Sequence, residues 1–179
     1  ALMEPDYKKL KELFIEWQLG MQQGGGWNAL FWCNHDQPRI VSRMGDEGVY
    51  WKESAKMLAG MIHLMRGTPY IYQGEEIGML NAHYSSIEKY RDVESLNYYQ
   101  ILLENGKTEK EALEVLAGRS RDNSRTPMQW NGTRYCGFSQ VEPWLPVSAG
   151  FRSEITVEAQ REDPDSVLSF YKKLIAMRK

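Results

Sequence analysis

With 179 residues, 42% of them hydrophobic and 26% charged, the chain has ordinary globular usage, which excludes disordered, collagen-like and fibrous classes and suits one domain rather than two. A net charge of -2, with no Lys/Arg run interleaved with aromatics, argues against a nucleic-acid groove, and no apolar run approaches the ~20 residues of a membrane span. Cys33 and Cys136 lie far apart in no metal-ligand spacing, so a disulfide framework or zinc knuckle is disfavoured and a reducing, cytoplasmic setting fits; the opening residues Ala1 to Pro5 lack a signal peptide's basic and apolar regions.

The first element reads as an amphipathic helix, because Leu10, Leu13, Phe14, Trp17 and Met21 recur at helical spacing until Gly24-Gly25-Gly26 stops it. That triplet opens no helix, so a phosphate-cradling loop is not supported. Trp27 to Cys33 is a short, mostly apolar run bounded by glycines and then by Asn34, His35 and Asp36, which predicts a strand buried on both faces. A second helix follows, lined on one side by Ala55, Leu58, Ala59, Ile62 and Met65; His63 falls on that apolar side and reads as a packed core residue. Gly67-Thr68-Pro69 breaks this helix before another apolar run, Pro69 to Tyr72.

Two apolar strands separated by a helix cannot close as a hairpin, so a right-handed crossover in a parallel sheet is expected. Both strands end in polar clusters, Asn34-His35-Asp36 and Gln73-Gly74-Glu75-Glu76, and the C-terminal ends of strands are where parallel α/β folds build their active sites. Residues 79–162 read as an insertion after the last strand, with short helices over Val93 to Leu103 and Glu109 to Leu116 and then an irregular, turn-rich segment. In the last element Asp163 is the expected N-cap and Pro164 the first turn, with Val167, Leu168, Tyr171, Leu174 and Ile175 on one face. Two strands leave sheet edges and apolar faces uncovered, so the chain reads as part of something larger, expected to self-associate through those edges.

Among the polar residues at the strand ends, Asp36 is the candidate of most interest, since a carboxylate there can accept from hydroxyls and stabilise developing positive charge. A turn built by Asn34, His35 and Asp36 is the plainer alternative. Arg39 is placed either to pair with Asp36 or to contact substrate. Glu75 and Glu76 are adjacent, so on an extended backbone they point to opposite sides and only one can face a common pocket. A metal site from His35, Asp36, Glu75 and Glu76 lacks ligand spacing of any specificity. The six Trp and ten Tyr suit sugar-stacking platforms as well as core packing.

Phe31-Trp32-Cys33-Asn34-His35-Asp36-Gln37-Pro38-Arg39 resembles the fourth signature region of the α-amylase family of glycoside hydrolases. The resemblance continues through Gly67 to Met79 and through Arg121-Asp122-Asn123-Ser124-Arg125-Thr126-Pro127-Met128-Gln129-Trp130, in the manner of the branch holding oligo-1,6-glucosidases and trehalose-6-phosphate hydrolases. Cys33 before Asn34, the run Tyr90 to Asn97, and Asn123-Ser124-Arg125 look more like the trehalose-6-phosphate hydrolases. The resemblance implies an α/β fold: the C-terminal part of a (β/α)8 barrel, from about its sixth to its eighth helix. It also implies a retaining hydrolase of α-glucosides, acting on a small sugar substrate; no cofactor and no metal site is expected among these residues. Asp36 would be the third of the family's three acidic residues; His35, Arg39 and Arg125 would bind the same sugar. The regions bearing the nucleophile and the general acid/base have no counterpart in these residues, so the chain alone is expected to be inactive. The runner-up activity is α-1,6-glucoside cleavage, and a non-catalytic barrel-derived binding or scaffold module is the alternative of another class.

Overall fold

The computed structural model describes residues 6–178; Ala1 to Pro5, read above for leader features, and Lys179 lie outside the described residues. The first helix, α1, runs Tyr7–Gln23; the Asp6 carboxylate accepts the Lys9 N–H at 3.0 Å at its start, and the Gly24 N–H bonds the Gly20 carbonyl at 2.9 Å at its end. Its inner side carries Leu10 and Phe14, the latter edge-on to Trp32 with ring centroids 5.5 Å apart. Leu13, Ile15, Trp17 and Leu19 stay exposed, so α1 covers the core with one narrow stripe only.

The expected strands are much shorter than the apolar runs. β1 is Ala29–Leu30 and β2 is Thr68–Pro69, paired in parallel with Ala29 opposite Thr68 and Leu30 opposite Pro69. The parallel pairing follows from α2 (Ile40–Met44) and α3 (Trp51–His63), which lie between the strands and take up the crossover. The expectation of burial on both faces is corrected: Asn28, Leu30 and Trp32 are buried, whereas Trp27 and Phe31 are 57% and 49% exposed. Only one side of the ladder meets α3, so burial alternates with the period of two that a half-covered strand shows.

α3 is the centre of the main core. Ala55, Leu58, Ala59 and Ile62 are each under 4% exposed, and the Leu58 carbonyl accepts the Trp32 indole N–H at 2.7 Å. The Trp51 indole donates likewise to the Gly78 carbonyl at 2.7 Å, where Gly78 adopts φ 70° and an added Cβ would stand 2.9 Å from the ring. His63 is buried as its spacing implied, its Nδ1 2.9 Å from the Ala59 carbonyl and its ring edge-on to Tyr171.

Beyond β2 the chain builds a second apolar cluster. α4 (Val93–Glu104) is capped by Asp92, and α5 (Glu109–Arg119) by a capping box between Thr108 and Glu111. These helices enclose Tyr84, Tyr90, Tyr99, Leu102, Ala112, Leu116 and Leu145. A single turn of helix, α6 (Asp122–Arg125), follows where an irregular segment was expected, and α7 (Val157–Arg161) returns the chain to the main core. The last helix, α8, spans Val167–Arg178. Its cap is Ser166, whose hydroxyl accepts the Ser169 N–H at 3.1 Å, and not Asp163; Asp163 accepts the Asp165 N–H at 2.8 Å in a preceding turn that carries Pro164. α8 lies along α3, tied by Lys52 and Lys56 to Asp165 and by the Arg178 guanidinium to the carbonyls of His63, Met65 and Gly67.

Leu116 is 2% exposed in the second cluster, so Leu116→Ala should cost about 2–5 kcal/mol of unfolding free energy. Chemical denaturation followed by circular dichroism measures this; a loss below ~1 kcal/mol would mean the second cluster contributes little packing.

Candidate active site

The loop between β1 and α2 carries Asp36. Its shape is local: the Asn34 side-chain carbonyl accepts the Asp36 N–H at 2.8 Å, and the Asn34 main-chain carbonyl accepts the Gln37 N–H at 3.3 Å. The turn reading and the functional reading of this cluster therefore coexist, because Asn34 makes the turn and leaves the Asp36 carboxylate free to point outward. That carboxylate is about half exposed and is held by its neighbours: Oδ1 accepts from Arg125 Nη2 at 3.0 Å and lies 3.6 Å from Arg121 Nη1, and Oδ2 lies 3.1 Å from His35 Nε2. Arg125 is oriented in turn by its Nε–H, which donates to the His35 carbonyl at 2.8 Å.

Both arginines reach a second carboxylate, Asp92, at the start of α4. Arg121 donates to Asp92 Oδ1 from Nε at 3.1 Å and from Nη2 at 2.8 Å, and Arg125 Nη1 stands 3.6 Å from the same oxygen. Asp92 Oδ2 accepts the Ser95 N–H and hydroxyl. Burial works to raise the Asp92 pKa, but the Arg121 guanidinium and the Ser95 donors outweigh it and hold the carboxyl below its usual range. Glu94 adds a third carboxylate to Arg121 at 3.1 Å. Asp122, buried beneath, accepts the backbone N–H groups of Arg91 and Asp92 at 2.7 and 2.9 Å and so fixes where Asp92 stands. Asp36, Gln37, Glu94, Tyr98 and Arg121 line one open cleft of 600 Å³.

Of the expected site residues, His35, Asp36 and Arg125 come together, and Arg39 does not join them. Arg39 is 1% exposed; its guanidinium donates to the Gln73 carbonyl and the Met79 sulfur and lies over the Tyr72 ring at 5.6 Å, while its N–H donates to the Asn81 side chain at 2.9 Å. Gly74, at φ 87°, admits this arrangement, since an added Cβ would come 2.9 Å from Arg39 Nη1. Arg121, Asp92 and Asp122 were not singled out in the sequence. Asp92 before a helix reads as a cap, and nothing in the spacing shows that residues 29 apart share a salt bridge.

Glu75 and Glu76 sit in a 3-10 turn, Glu75–Ile77, and not on an extended backbone. Glu75 is buried under the Asp36 loop, its Oε1 accepting the Tyr171 hydroxyl at 2.9 Å; burial pushes its pKa up to about 7. Burial likewise pushes the neighbouring Cys33 thiol up to about 12, with the Glu75 charge adding to it. Among the described residues no group of three His, Cys, Asp or Glu side chains could hold a metal ion, and no helix is long and apolar enough to cross a membrane.

Comparison with known proteins agrees with the architecture. The family described as "Alpha amylase, catalytic domain" matches residues 1–179. Trehalose-6-phosphate hydrolase of Bacillus subtilis is 56% identical over 179 residues, 100% of this chain and 32% of the relative. A probable oligo-1,6-glucosidase of the same organism is 53% identical over 171 residues, 95% of this chain and 30% of the relative. The crystal structure of Bacillus licheniformis trehalose-6-phosphate hydrolase superposes with a TM-score of 0.96 at 59% identity, covering 99% of this chain and 32% of that one. The chain thus spans about a third of the length of the relatives it matches, within a TIM-barrel catalytic domain.

Because Glu75 binds its proton more tightly folded than unfolded, its contribution to stability is fully present below about 4.5 and is lost as pH rises to about 7. Relative to Glu75→Gln, the wild type should lose about 3 kcal/mol across that window, as each pKa unit is worth ~1.4 kcal/mol. Urea unfolding of both at pH 4.5 and 7.5 checks this; a constant difference would show that Glu75 titrates normally.

Proposed function

The chain belongs to the α-amylase catalytic-domain family of glycoside hydrolases, and from that premise we propose that the protein is a retaining α-glucoside hydrolase that splits trehalose 6-phosphate into glucose and glucose 6-phosphate. The observation that carries the reading is the placement of Asp36, just beyond a parallel strand on an open cleft, with its carboxylate anchored by Arg121 and Arg125. Active sites of TIM barrels occupy this end of the strands.

In this reading β1, β2 and the helices around them form the stretch from about the sixth to the eighth barrel helix, with 79–162 inserted after the last strand. Asp36 is the third carboxylate. It accepts hydrogen bonds from hydroxyls of the ring being cleaved and stabilises the oxocarbenium-like transition state; such interactions supply several kcal/mol. His35 sits on the same carboxylate and meets the same sugar. Arg125 and Arg121 keep Asp36 from collapsing onto its own loop, so its free lone pairs face the cleft. Arg39 contributes from below by fixing the loop and does not touch sugar. The nucleophile and the acid/base of such a reaction are not among these residues, so this chain alone turns over no substrate. Two buried thiols in no disulfide favour a cytoplasmic setting. α-1,6-Glucoside cleavage is the second reading, favoured by the 53% identity to the probable oligo-1,6-glucosidase.

In the full-length protein Asp36→Asn should lower kcat/KM on trehalose 6-phosphate by about 100-fold or more, each tenfold being ~1.4 kcal/mol of transition-state stabilisation. Steady-state assays on trehalose 6-phosphate and isomaltose measure it. Near-wild-type turnover by the variant removes the role given to Asp36, and equal or faster wild-type cleavage of isomaltose replaces the substrate.

The exposed row of Trp17, Trp27 and Phe31 beside the open edge of β1 makes self-association of the 179-residue chain the expected behaviour in isolation. Size-exclusion chromatography should place it above monomer size; a compact monomer that binds no hydrophobic dye counts against this.

A further inference from the structure

The segment that carries Asp36 begins at Cys33 and ends at Ile40, and it is closed on itself by the Ile40 N–H, which donates to Cys33 Sγ at 3.3 Å. Both of its ends rest on the turn that follows β2. Cys33, 4% exposed, lies beside the Glu75 carboxyl, and the Arg39 guanidinium faces Glu75 and Glu76 from the other end. Glu75 itself is fixed from a third direction by the Tyr171 hydroxyl of α8, 2.9 Å from Oε1. Its Oε2 has no hydrogen-bond partner among the described residues, although Glu75 is 4% exposed. A buried carboxyl with one satisfied oxygen is a group in wait of a proton or a charge partner.

We propose that Glu75 is a positioning residue for the Asp36 loop: its buried carboxyl lies beside Cys33 at the loop's start, on the same turn whose Gln73 carbonyl holds the Arg39 guanidinium at the loop's end, so the charge it carries bears on how the loop is held. This rests on the reading of Asp36 given above. The groups facing Glu75 are Cys33 at the end of β1, Arg39 at the start of α2, Tyr72 and Glu76 on its own turn, and Tyr171 on α8, with His63 of α3 stacked behind Tyr171. Cys33 and Tyr171 hold their protons tightly, because burial and the Glu75 charge both raise them, so neither can accept a proton that Glu75 loses. Arg39 is the only cation among these groups, and its guanidinium is engaged by the Gln73 carbonyl and the Tyr72 ring. When Glu75 is neutral the guanidinium stays on those partners and the loop keeps the geometry described. When Glu75 ionises, the charge attracts the guanidinium, whose Nε has no hydrogen-bond partner among the described residues, and the pull reaches the loop through the Arg39 backbone, against the bond its N–H donates to Asn81.

The test follows the backbone amide resonances of Gln37, Arg39 and Ile40 in the full chain as pH is raised, with His35→Gln in every sample so that the loop carries no imidazole. The expected result is a concerted shift with a midpoint near 7, abolished by Glu75→Gln. Tyr171→Phe, which removes a hydrogen bond that favours ionisation, should move the midpoint upward. Flat resonances in the folded wild type, or an unchanged titration in Glu75→Gln, overturn the proposal. If Glu75→Gln does not fold, an unshifted or lowered midpoint in Tyr171→Phe does the same. The measurement needs no turnover, so a failed Asp36→Asn assay would reject the glucosidase reading while leaving this coupling to stand or fall separately.

Discussion

Two arginines one helical turn apart, Arg121 and Arg125, join the halves of this chain. Each reaches from the second cluster to the Asp36 carboxylate on the β1 loop, and each also lies on Asp92. Charge-assisted contacts of this kind are short and directional, and a planar guanidinium can serve two carboxylates at once. Without them the Asp36 carboxylate would stand on a turn shaped by Asn34 and seated from below by Cys33 and Arg39, with only His35 beside it. The stretch that follows β2 is thus more than an appendage, since it fixes the orientation of the Asp36 carboxylate.

Beneath the loop the logic reverses. The upper contacts are solvent-accessible and built from opposite charges, whereas the lower ones are buried and built from neutral or singly charged groups in a low-dielectric pocket. Cys33, Glu75 and Tyr171 are all pushed toward their protonated forms there, and Arg39 keeps its charge by lying on a carbonyl and an aromatic ring. An upper layer that steers the carboxylate and a lower layer that seats its backbone are separate supports, and each can be altered without removing the other.

Much of this was legible in the sequence. The helices Tyr7–Gln23 and Trp51–His63 follow from apolar spacing and the glycine-bearing breaks beyond them, the short helices expected over Val93 to Leu103 and Glu109 to Leu116 are present as Val93–Glu104 and Glu109–Arg119, and the parallel order of the strands follows from the helices between them. The strand lengths were not legible, because an apolar run such as Trp27 to Cys33 looks the same whether one face or two are covered. Its alternation of buried and exposed residues depends on what packs against it, which local sequence does not encode. At the site, His35 and Asp36 were visible as a polar cluster at a strand end, and Arg125 through family resemblance. The role of Arg39 was ambiguous because a cation three residues from a carboxylate can turn either way, and the backbone here turns it into the core. Asp92 and Arg121 were hidden for a different reason, as their pairing spans the whole of α4 and α5.

The tryptophans divide along the same line as the fold. Trp32 buries its ring and gives its indole N–H to the Leu58 carbonyl of α3, and Trp51, the first residue of α3, buries its own and donates to the Gly78 carbonyl, whereas Trp17, Trp27, Trp130 and Trp144 face water. Intrinsic fluorescence of the chain is therefore a sum of a blue-shifted, quencher-resistant component from the first pair and a red-shifted, quenchable one from the rest. The blue component reports the packing around α3, with Trp32 also meeting Phe14 of α1, which gives that part of the core a built-in optical reporter without any added label.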